Sequence, residues 1–306
     1  MRRTSKSLAL LAGCIVLCGV LVGSLVGAAW LALGAPAPAA GSTWLQVTKV
    51  ESDYSGEPTE PFYFLALGND GRTDEVNGLG DAIHVIGINP ALNQGTMLNV
   101  PRDTTAPSGD KINASHSLEG LPGIIRELNE MMGIQISYAI TTNFPGFIEM
   151  VNTLKGIEVD IPMPLDDPDG SGALFETVGT QKVTGDQALA FARDRHDFTA
   201  GDIDRSYNQG TIILSALRTL QERRETSPGE VFRNVSILAR HVRMENIGIT
   251  ELFRLGRMAM AMDPASIKNI TIPVGGGSAT STNLSLGPDA SALFADFADD
   301  AVVQSR

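Results

Sequence analysis

Met97-Leu98-Asn99-Val100-Pro101-Arg102-Asp103-Thr104 runs from a short apolar stretch into a proline and then directly into a charged pair. Residues of β-type character stopped by a proline, which cannot donate to a sheet ladder, predict a buried strand ending at Val100. Arg102 and Asp103 then stand just past a strand end, which is where α/β folds place ligands.

The same grammar repeats on both sides. Apolar strand-like runs lie at Phe62–Leu67, Ala82–Ile88, Tyr138–Thr142 and Ile157–Ile161, several of them ending in Gly, Asn or Pro, and Ile267–Ile272 returns as a further strand. Between them the apolar spacing is helical. Leu121–Met132 gathers Ile124, Ile125, Leu128 and Met131 on one side, and Phe144–Leu154 gathers Phe144, Phe147, Ile148 and Val151. Thr184 followed by Gln187 predicts a capping box that opens a helix through Ala192. A longer helix is expected from Asp202 to about Arg223, with Ile212, Ile213, Ala216, Leu217 and Leu220 as its apolar face. Further helices are expected at Glu230–His241, Thr250–Met262 and Asp289–Phe297. Strands alternating with helices predict a three-layer α/β domain.

The N-terminal part has a different character. Leu8–Leu33 carries no charged residue, and 26 residues rising about 1.5 Å each exceed a hydrocarbon core of about 30 Å. Arg2, Arg3 and Lys6 precede it and no charge follows until Lys49, so residues 1–7 are expected in the cytoplasm and the rest outside. A cleaved signal peptide, with Ala35–Ala40 as its processing site, and a lipoprotein box at Leu11–Cys14 are the competing readings; the apolar run is long for either. Residues 34–60, rich in Pro, Ala, Gly, Ser and Thr, read as an extracytoplasmic stalk in which Trp44–Val50 could pair as an edge strand, leaving 61–306 as the folded domain. Both cysteines, Cys14 and Cys18, fall inside the apolar segment, so the exported part has no disulfide or thiolate chemistry. A net charge of −12 argues against nucleic acid as a partner.

In so acidic a chain, clustered arginines stand out. Four segments concentrate Asp, Arg, Lys and Gln at element ends: Gly68–Arg72, Gly80-Asp81, Pro101–Thr104 followed by Lys111, and Arg193-Asp194-Arg195 leading into Gly201–Arg205 and Gln209. Arg205 and Gln209 fall on one helix face with Asp202 near the helix start, and arginine forks and helix N-termini both favour phosphate oxygens. Asp70 and Asp81, on neighbouring segments, are a pair that could hold Mg²⁺, which takes a few carboxylates together with water and substrate phosphates. On their chemistry alone these residues read equally as solvated surface pairs worth about 0–1 kcal/mol. His84, inside an apolar strand, reads as a packed core residue, whereas His116 and His196 lie in polar loops and are left open.

Taken in order, Leu67-Gly68-Asn69-Asp70, Asp81-Ala82-Ile83, Leu98–Thr104, Lys111-Ile112-Asn113-Ala114 and Gly201–Arg205 with Gln209 resemble the LytR-CpsA-Psr family, over about Pro61 to Thr219. The resemblance implies an α/β/α sandwich around a mixed sheet. It also implies an Mg²⁺-dependent phosphotransferase outside the membrane, moving teichoic acid, capsule or arabinogalactan-type glycopolymer from a polyprenyl pyrophosphate carrier to peptidoglycan. It gives Asp70 and Asp81 to Mg²⁺, and Arg102, Lys111, Arg193, Arg195, Arg205 and Gln209 to the pyrophosphate. Asp103 and Asp202 would orient the arginines, or one of them would serve as base, which makes Arg102, Asp103, Asp202 and Arg205 the catalytic set. The resemblance further implies an apolar tunnel for the polyprenyl tail, with Phe144, Phe147, Ile148 and Val151 as candidate lining, although ordinary core packing suits them equally. Two positions depart from the family pattern: Gly78-Leu79-Gly80-Asp81 lacks the arginine usual at Leu79, and Asn208 replaces one that often precedes the glutamine. A pyrophosphate-binding regulatory module and a pyrophosphate hydrolase are the alternative functions.

Overall fold

Phe62–Asn69 is apolar at nearly every position, so both of its faces must be covered, and this is the central strand of the sheet. In the computed structural model, which describes residues 43–57, 59–69, 80–227, 229, 234, 241–276 and 283–304, it is β2. The other sheet members are β1 (Leu45–Lys49), β3 (Gly80–Asn89), β4 (Gln94–Asn99), β5 (Ile136–Asn143), β10 (Val242–Glu245) and β11 (Ile267–Thr271). The order is β10-β1-β5-β2-β3-β4-β11. The sheet is mixed: β2 runs parallel to β5 and antiparallel to β3, β4 is antiparallel to β3 and parallel to β11, and β1 is antiparallel to β5 and parallel to β10.

Alternation along the strands separates two cores. Phe62, Phe64 and Ala66 face a layer formed by α2 (Phe144–Thr153), α3 (Gly185–Arg193), α4 (Asp202–Thr226) and α5 (Ile249–Ala259). Tyr63, Leu65 and Leu67 face α1 (Ile112–Met132) and α6 (Ala290–Asp300). The expected α/β/α layering around a mixed sheet is therefore present.

Several boundaries differ from the sequence reading. The helix expected from Leu121 follows a kink at Gly120, at φ 69°, ψ −157°, and a first helical segment from Ile112 precedes it. Trp44–Val50 is not an edge strand in a stalk: β1 lies between β5 and β10, so the fold reaches back beyond the boundary expected at Pro61. Its first turn of pairing places Leu45 opposite Thr142, and the Thr142 hydroxyl donates to the Trp44 carbonyl at 2.8 Å. The expected capping box is present, with Thr184 and Gln187 satisfying each other's backbone N–H groups. The strand expected at Ile157–Ile161 is present as β6, but it stands outside the main sheet and pairs antiparallel with β9 (Gly179–Val183), and between them β7 (Leu165–Asp167) and β8 (Ala173–Phe175) form a hairpin that the apolar spacing does not announce. Leu8–Leu33, Asp70 and most of Glu230–His241 lie outside the described residues. Among the described residues no helix is long and apolar enough to cross a membrane.

α2 and α3 meet at a glycine. A Cβ on Gly185 would run into the backbone carbonyl of Ile148. Gly185→Ala is therefore expected to destabilise the protein by about 1–3 kcal/mol through overpacking, read as a lowered midpoint in denaturant unfolding.

Candidate anion-binding site

β2 ends, β3 begins and β5 ends at one edge of the sheet, and α2, α3 and α4 rise around that edge. Together they enclose a cavity of about 310 Å³. One side is polar: Asp81 from the start of β3, Arg102 beyond β4, Arg193 at the end of α3 and Arg195 just after it, and Arg205 and Gln209 from α4. The other is apolar, lined by Phe144, Phe147, Leu189, Ala192, Ile212 and Ile213. A cavity that is cationic at one end and greasy along its wall suits an amphiphile with an anionic head.

The charged groups interlock. Arg102 Nη1 donates to Asp81 Oδ1 at 2.6 Å, and its Nε lies 4.0 Å from Asp202 Oδ1. Arg205 Nη2 touches the same Asp202 oxygen at 2.5 Å, although off the line of a hydrogen bond. Asp202 thus stands between two arginines. Burial raises its carboxyl pKa despite the charges of Arg205 and Arg102. Burial lowers that of Arg205, against the pull of Asp202. Burial also disfavours the Arg102 charge, but the Asp81 hydrogen bond and the surrounding carboxylates outweigh it and hold this guanidinium above its ordinary value.

Arg205 is 6% exposed, and its Nε and Nη2, with Arg102 Nε, both Asp202 oxygens and Gln209 Oε1, are buried without a hydrogen-bond partner among the described residues. Native proteins rarely leave so many buried polar atoms unpaired in one place. The guanidinium donors among them suit a ligand rich in oxygen, while the Asp202 and Gln209 oxygens call for a hydroxyl or other donor.

Arg193 and Arg195 enter the cavity because the residue between them does not. Asp194 is fully buried beneath the loop and accepts the His196 N–H at 3.1 Å, so its neighbours turn the other way. The Arg193 guanidinium lies 5.5 Å from the Phe144 ring centroid, joining the polar and apolar sides by a cation–π contact.

Of the residues expected at the site, Asp81, Arg102, Arg193, Arg195, Arg205 and Gln209 converge. Asp103 and Lys111 form an ion pair with each other at 2.7 Å without lining the cavity, and Asp202 acts on it through Arg102 and Arg205. Ile148 and Val151 do not line it, and Val151 packs in the core instead. The wall also includes residues the sequence reading missed: Asp167, Gly170 and Ser171 from the β7–β8 turn, and His84 from β3.

His84 is 1% exposed, and burial pushes its pKa down to about 4, with the Asn99 hydrogen bond opposing only part of that. It is neutral in the folded state where an unfolded histidine, near 6.5, already binds a proton. Stability it contributes above pH 6.5 is therefore lost as pH falls toward 4, by about 3 kcal/mol from the linkage relation. Asp202, with its raised pKa, changes stability in the opposite sense as pH falls. We expect wild-type minus His84→Gln unfolding free energies to decline between pH 6.5 and 4; a flat difference would remove His84 as the cause.

The mixed-sheet α/β fold thus brings a buried arginine–aspartate cluster against an apolar wall in one cavity. The model of the LytR_cpsA_psr family matches residues 39–295, and the chain belongs to that family. Its relatives include the polyisoprenyl-teichoic acid–peptidoglycan teichoic acid transferase TagV of Bacillus subtilis, 28% identical over 241 residues, covering 75% of this chain and 59% of the relative. The transferase TagU of Halalkalibacterium halodurans is 30% identical over 164 residues, covering 52% of this chain and 53% of the relative. The chain thus spans between half and three fifths of the length of these relatives. Among solved structures, a LytR-Csp2A-Psr enzyme from Actinomyces oris superposes with a TM-score of 0.65 at 24% identity, over 86% of this chain and 97% of that one. TagT bound to LI-WTA superposes with a TM-score of 0.63 at 19% identity, over 87% of this chain and 99% of that one, a likeness of fold.

Proposed function

We propose that this chain is an extracytoplasmic phosphotransferase, held at the membrane by Leu8–Leu33, that moves a glycopolymer from a polyprenyl pyrophosphate to peptidoglycan. The observation carrying this reading is the set of unpaired buried atoms on Arg102, Asp202, Arg205 and Gln209 beside an apolar wall. The family membership and the names of TagV and TagU support it.

In the proposed reaction an acceptor sugar hydroxyl attacks the phosphorus that carries the polymer. A new P–O bond forms, the bond from that phosphorus to the bridging oxygen breaks, and polyprenyl phosphate leaves with the bridging oxygen. Arg205 and Arg102 neutralise the charge growing on the non-bridging and leaving oxygens, and preorganised charge of this kind is the main source of acceleration in phosphoryl transfer. One amide N–H of Gln209 is committed to the Ala192 carbonyl at 3.0 Å, which leaves the second to donate to a phosphate oxygen and Oε1 to accept from a sugar hydroxyl. The hydroxyl proton passes to a carboxylate of the cluster, and Asp202, its pKa raised by burial, has the basicity for it from its position behind Arg102 and Arg205.

A magnesium ion fits the hard oxygen donors here. Asp81 lies at the cavity wall with Oδ1 engaged by Arg102, and since no group of three or more His, Cys, Asp or Glu side chains gathers among the described residues, the ion would take its other ligands from Asp70, water and the substrate phosphates. Asp81, with Asp70 from the adjoining segment, would hold the ion against the phosphates, where it would supply Lewis-acid charge neutralisation.

The test uses the full chain in detergent with a synthetic polyprenyl pyrophosphate-linked oligosaccharide, Mg²⁺ and peptidoglycan fragments. Release of polyprenyl phosphate together with oligosaccharide-modified peptidoglycan is expected. Free phosphorylated oligosaccharide formed regardless of peptidoglycan would make water the acceptor, and tight binding without turnover would make the chain a holding module; either outcome overturns the proposal.

A further inference from the structure

A chain of side-chain hydrogen bonds crosses three strands beneath the cavity and ends on the helix that carries Arg205 and Gln209. The Asn269 amide nitrogen on β11 donates to the Tyr207 carbonyl and to Thr211 Oγ1 of α4, both at 3.2 Å. A backbone carbonyl can only accept, so this contact fixes which way the Asn269 amide points. Asn269 Oδ1 then accepts from Asn99 Nδ2 of β4 at 2.7 Å. That in turn leaves Asn99 Oδ1 facing His84 Nδ1 of β3 at 2.7 Å, and the histidine must be the donor. The direction of every bond follows from the carbonyl at the far end. His84 is thereby held as the Nδ1–H tautomer, with Nε2 buried, unprotonated and without a partner among the described residues, in a side chain that borders the cavity.

The helix meets this chain at its one glycine. A Cβ on Gly210 would collide with Asn269 Oδ1 and come within 2.7 Å of Asn99 Oδ1, so the two amide oxygens occupy the space a side chain would need. Tyr207 and Thr211 flank Gly210, and Gln209 immediately precedes it, one turn beyond Arg205. The seating of the helix here sets how far both side chains reach into the cavity.

We propose that His84, Asn99 and Asn269 are positioning residues: a directional hydrogen-bond relay that docks α4 on the sheet at Gly210 and holds Arg205 and Gln209 at the depth needed to grip an anionic head group. The proposal rests on the reading of the cavity as an anion site. His84 acts through Asn99 and Asn269 and needs no charge to do so.

The experiment compares full-length variants for binding of inorganic pyrophosphate, for thermal unfolding, and by ¹⁵N imidazole NMR. Gly210→Ala is the most telling substitution, because alanine in a helix interior normally stabilises it relative to glycine. Here it is expected to weaken pyrophosphate binding about tenfold, the effect of losing a buried hydrogen bond. His84→Phe, which cannot donate to Asn99, is expected to do the same, and His84→Gln, which can, to restore affinity to within about threefold of wild type on the same basis. The His84 spectrum is expected to show a protonated Nδ1 and a bare Nε2 at neutral pH. Wild-type affinity in a folded Gly210→Ala or His84→Phe protein, or an Nε2–H tautomer, would overturn the relay. Should a variant fail to fold, the tautomer alone decides. Arg205→Ala separates the two levels: undiminished pyrophosphate binding in that variant removes the anion site itself, whereas its loss alongside unaffected relay variants removes only the relay.

Discussion

Arg205→Ala is expected to lower kcat/KM for glycopolymer transfer about a thousandfold, the lower part of the range for arginines directed at a transferring phosphoryl group. The reason lies in what Arg205 lacks. Its Nε has no hydrogen-bond acceptor among the described residues and its Nη2 meets Asp202 only off the line of a hydrogen bond, so the fork keeps N–H donors for phosphate oxygens when a head group arrives. The substitution also strips Asp202 of the cation 2.5 Å away. Because the Asp202 side chain keeps 16% exposure, water relieves part of that loss, and destabilisation of about 1–3 kcal/mol is expected rather than the full cost of splitting a sealed pair. Arg205→Lys restores the charge without the planar fork and is expected to regain only part of the activity. The check is steady-state transfer kinetics alongside denaturant unfolding for both variants; near-wild-type kinetics in a folded Arg205→Ala protein would take this arginine out of the chemistry.

Asp81→Ala carries the second large effect. It removes the acceptor that Arg102 holds at 2.6 Å and the one proposed metal ligand within the described residues. A loss of about a hundredfold in transfer rate is expected, with the rate no longer responding to added Mg²⁺. Asp81→Asn separates the two roles, since its amide oxygen still accepts from Arg102 but binds a hard cation poorly. If the metal dominates, the Asn and Ala variants fall together; if orientation of Arg102 dominates, Asn recovers most of the rate. Titration of transfer rate against Mg²⁺ and chelator reads the difference, and an Asp81→Ala protein with wild-type rate and Mg²⁺ dependence would remove Asp81 from both roles.

Much of this architecture is visible in one dimension because it depends on local periodicity. β2 to β5 and the helices α2 to α4 announce themselves through apolar spacing and through the Thr184–Gln187 cap, and the charged residues at their ends gather because those ends do. What stays hidden is of two kinds. Elements of three residues, such as β7 and β8, are too short to show a period, so Asp167, Gly170 and Ser171 reach the cavity unannounced. Long-range polar pairings leave no local trace: Asn99 and Asn269 are 170 residues apart, and nothing near either one points to the other. His84 shows how both readings of a residue can hold at once, since it is packed like a core side chain and still borders the site. β1 misleads for a different reason. Leu45–Lys49 alternates apolar and polar residues, as an edge strand would, although strands flank it on both sides.

The placement of β1 also bears on how the protein would meet its membrane. Leu45 pairs with Thr142, a residue of the cavity wall, so the chain leading into the fold arrives beside the mouth rather than at the far end of the sheet. With the proposed anchor ending at Leu33, the connection 34–44 reaches at most roughly 40 Å when fully extended. A connection that short, entering beside the opening, would keep the opening within reach of the bilayer. A lipid-borne donor could then slide its head in from below by moving sideways in the leaflet, without its tail ever crossing open water.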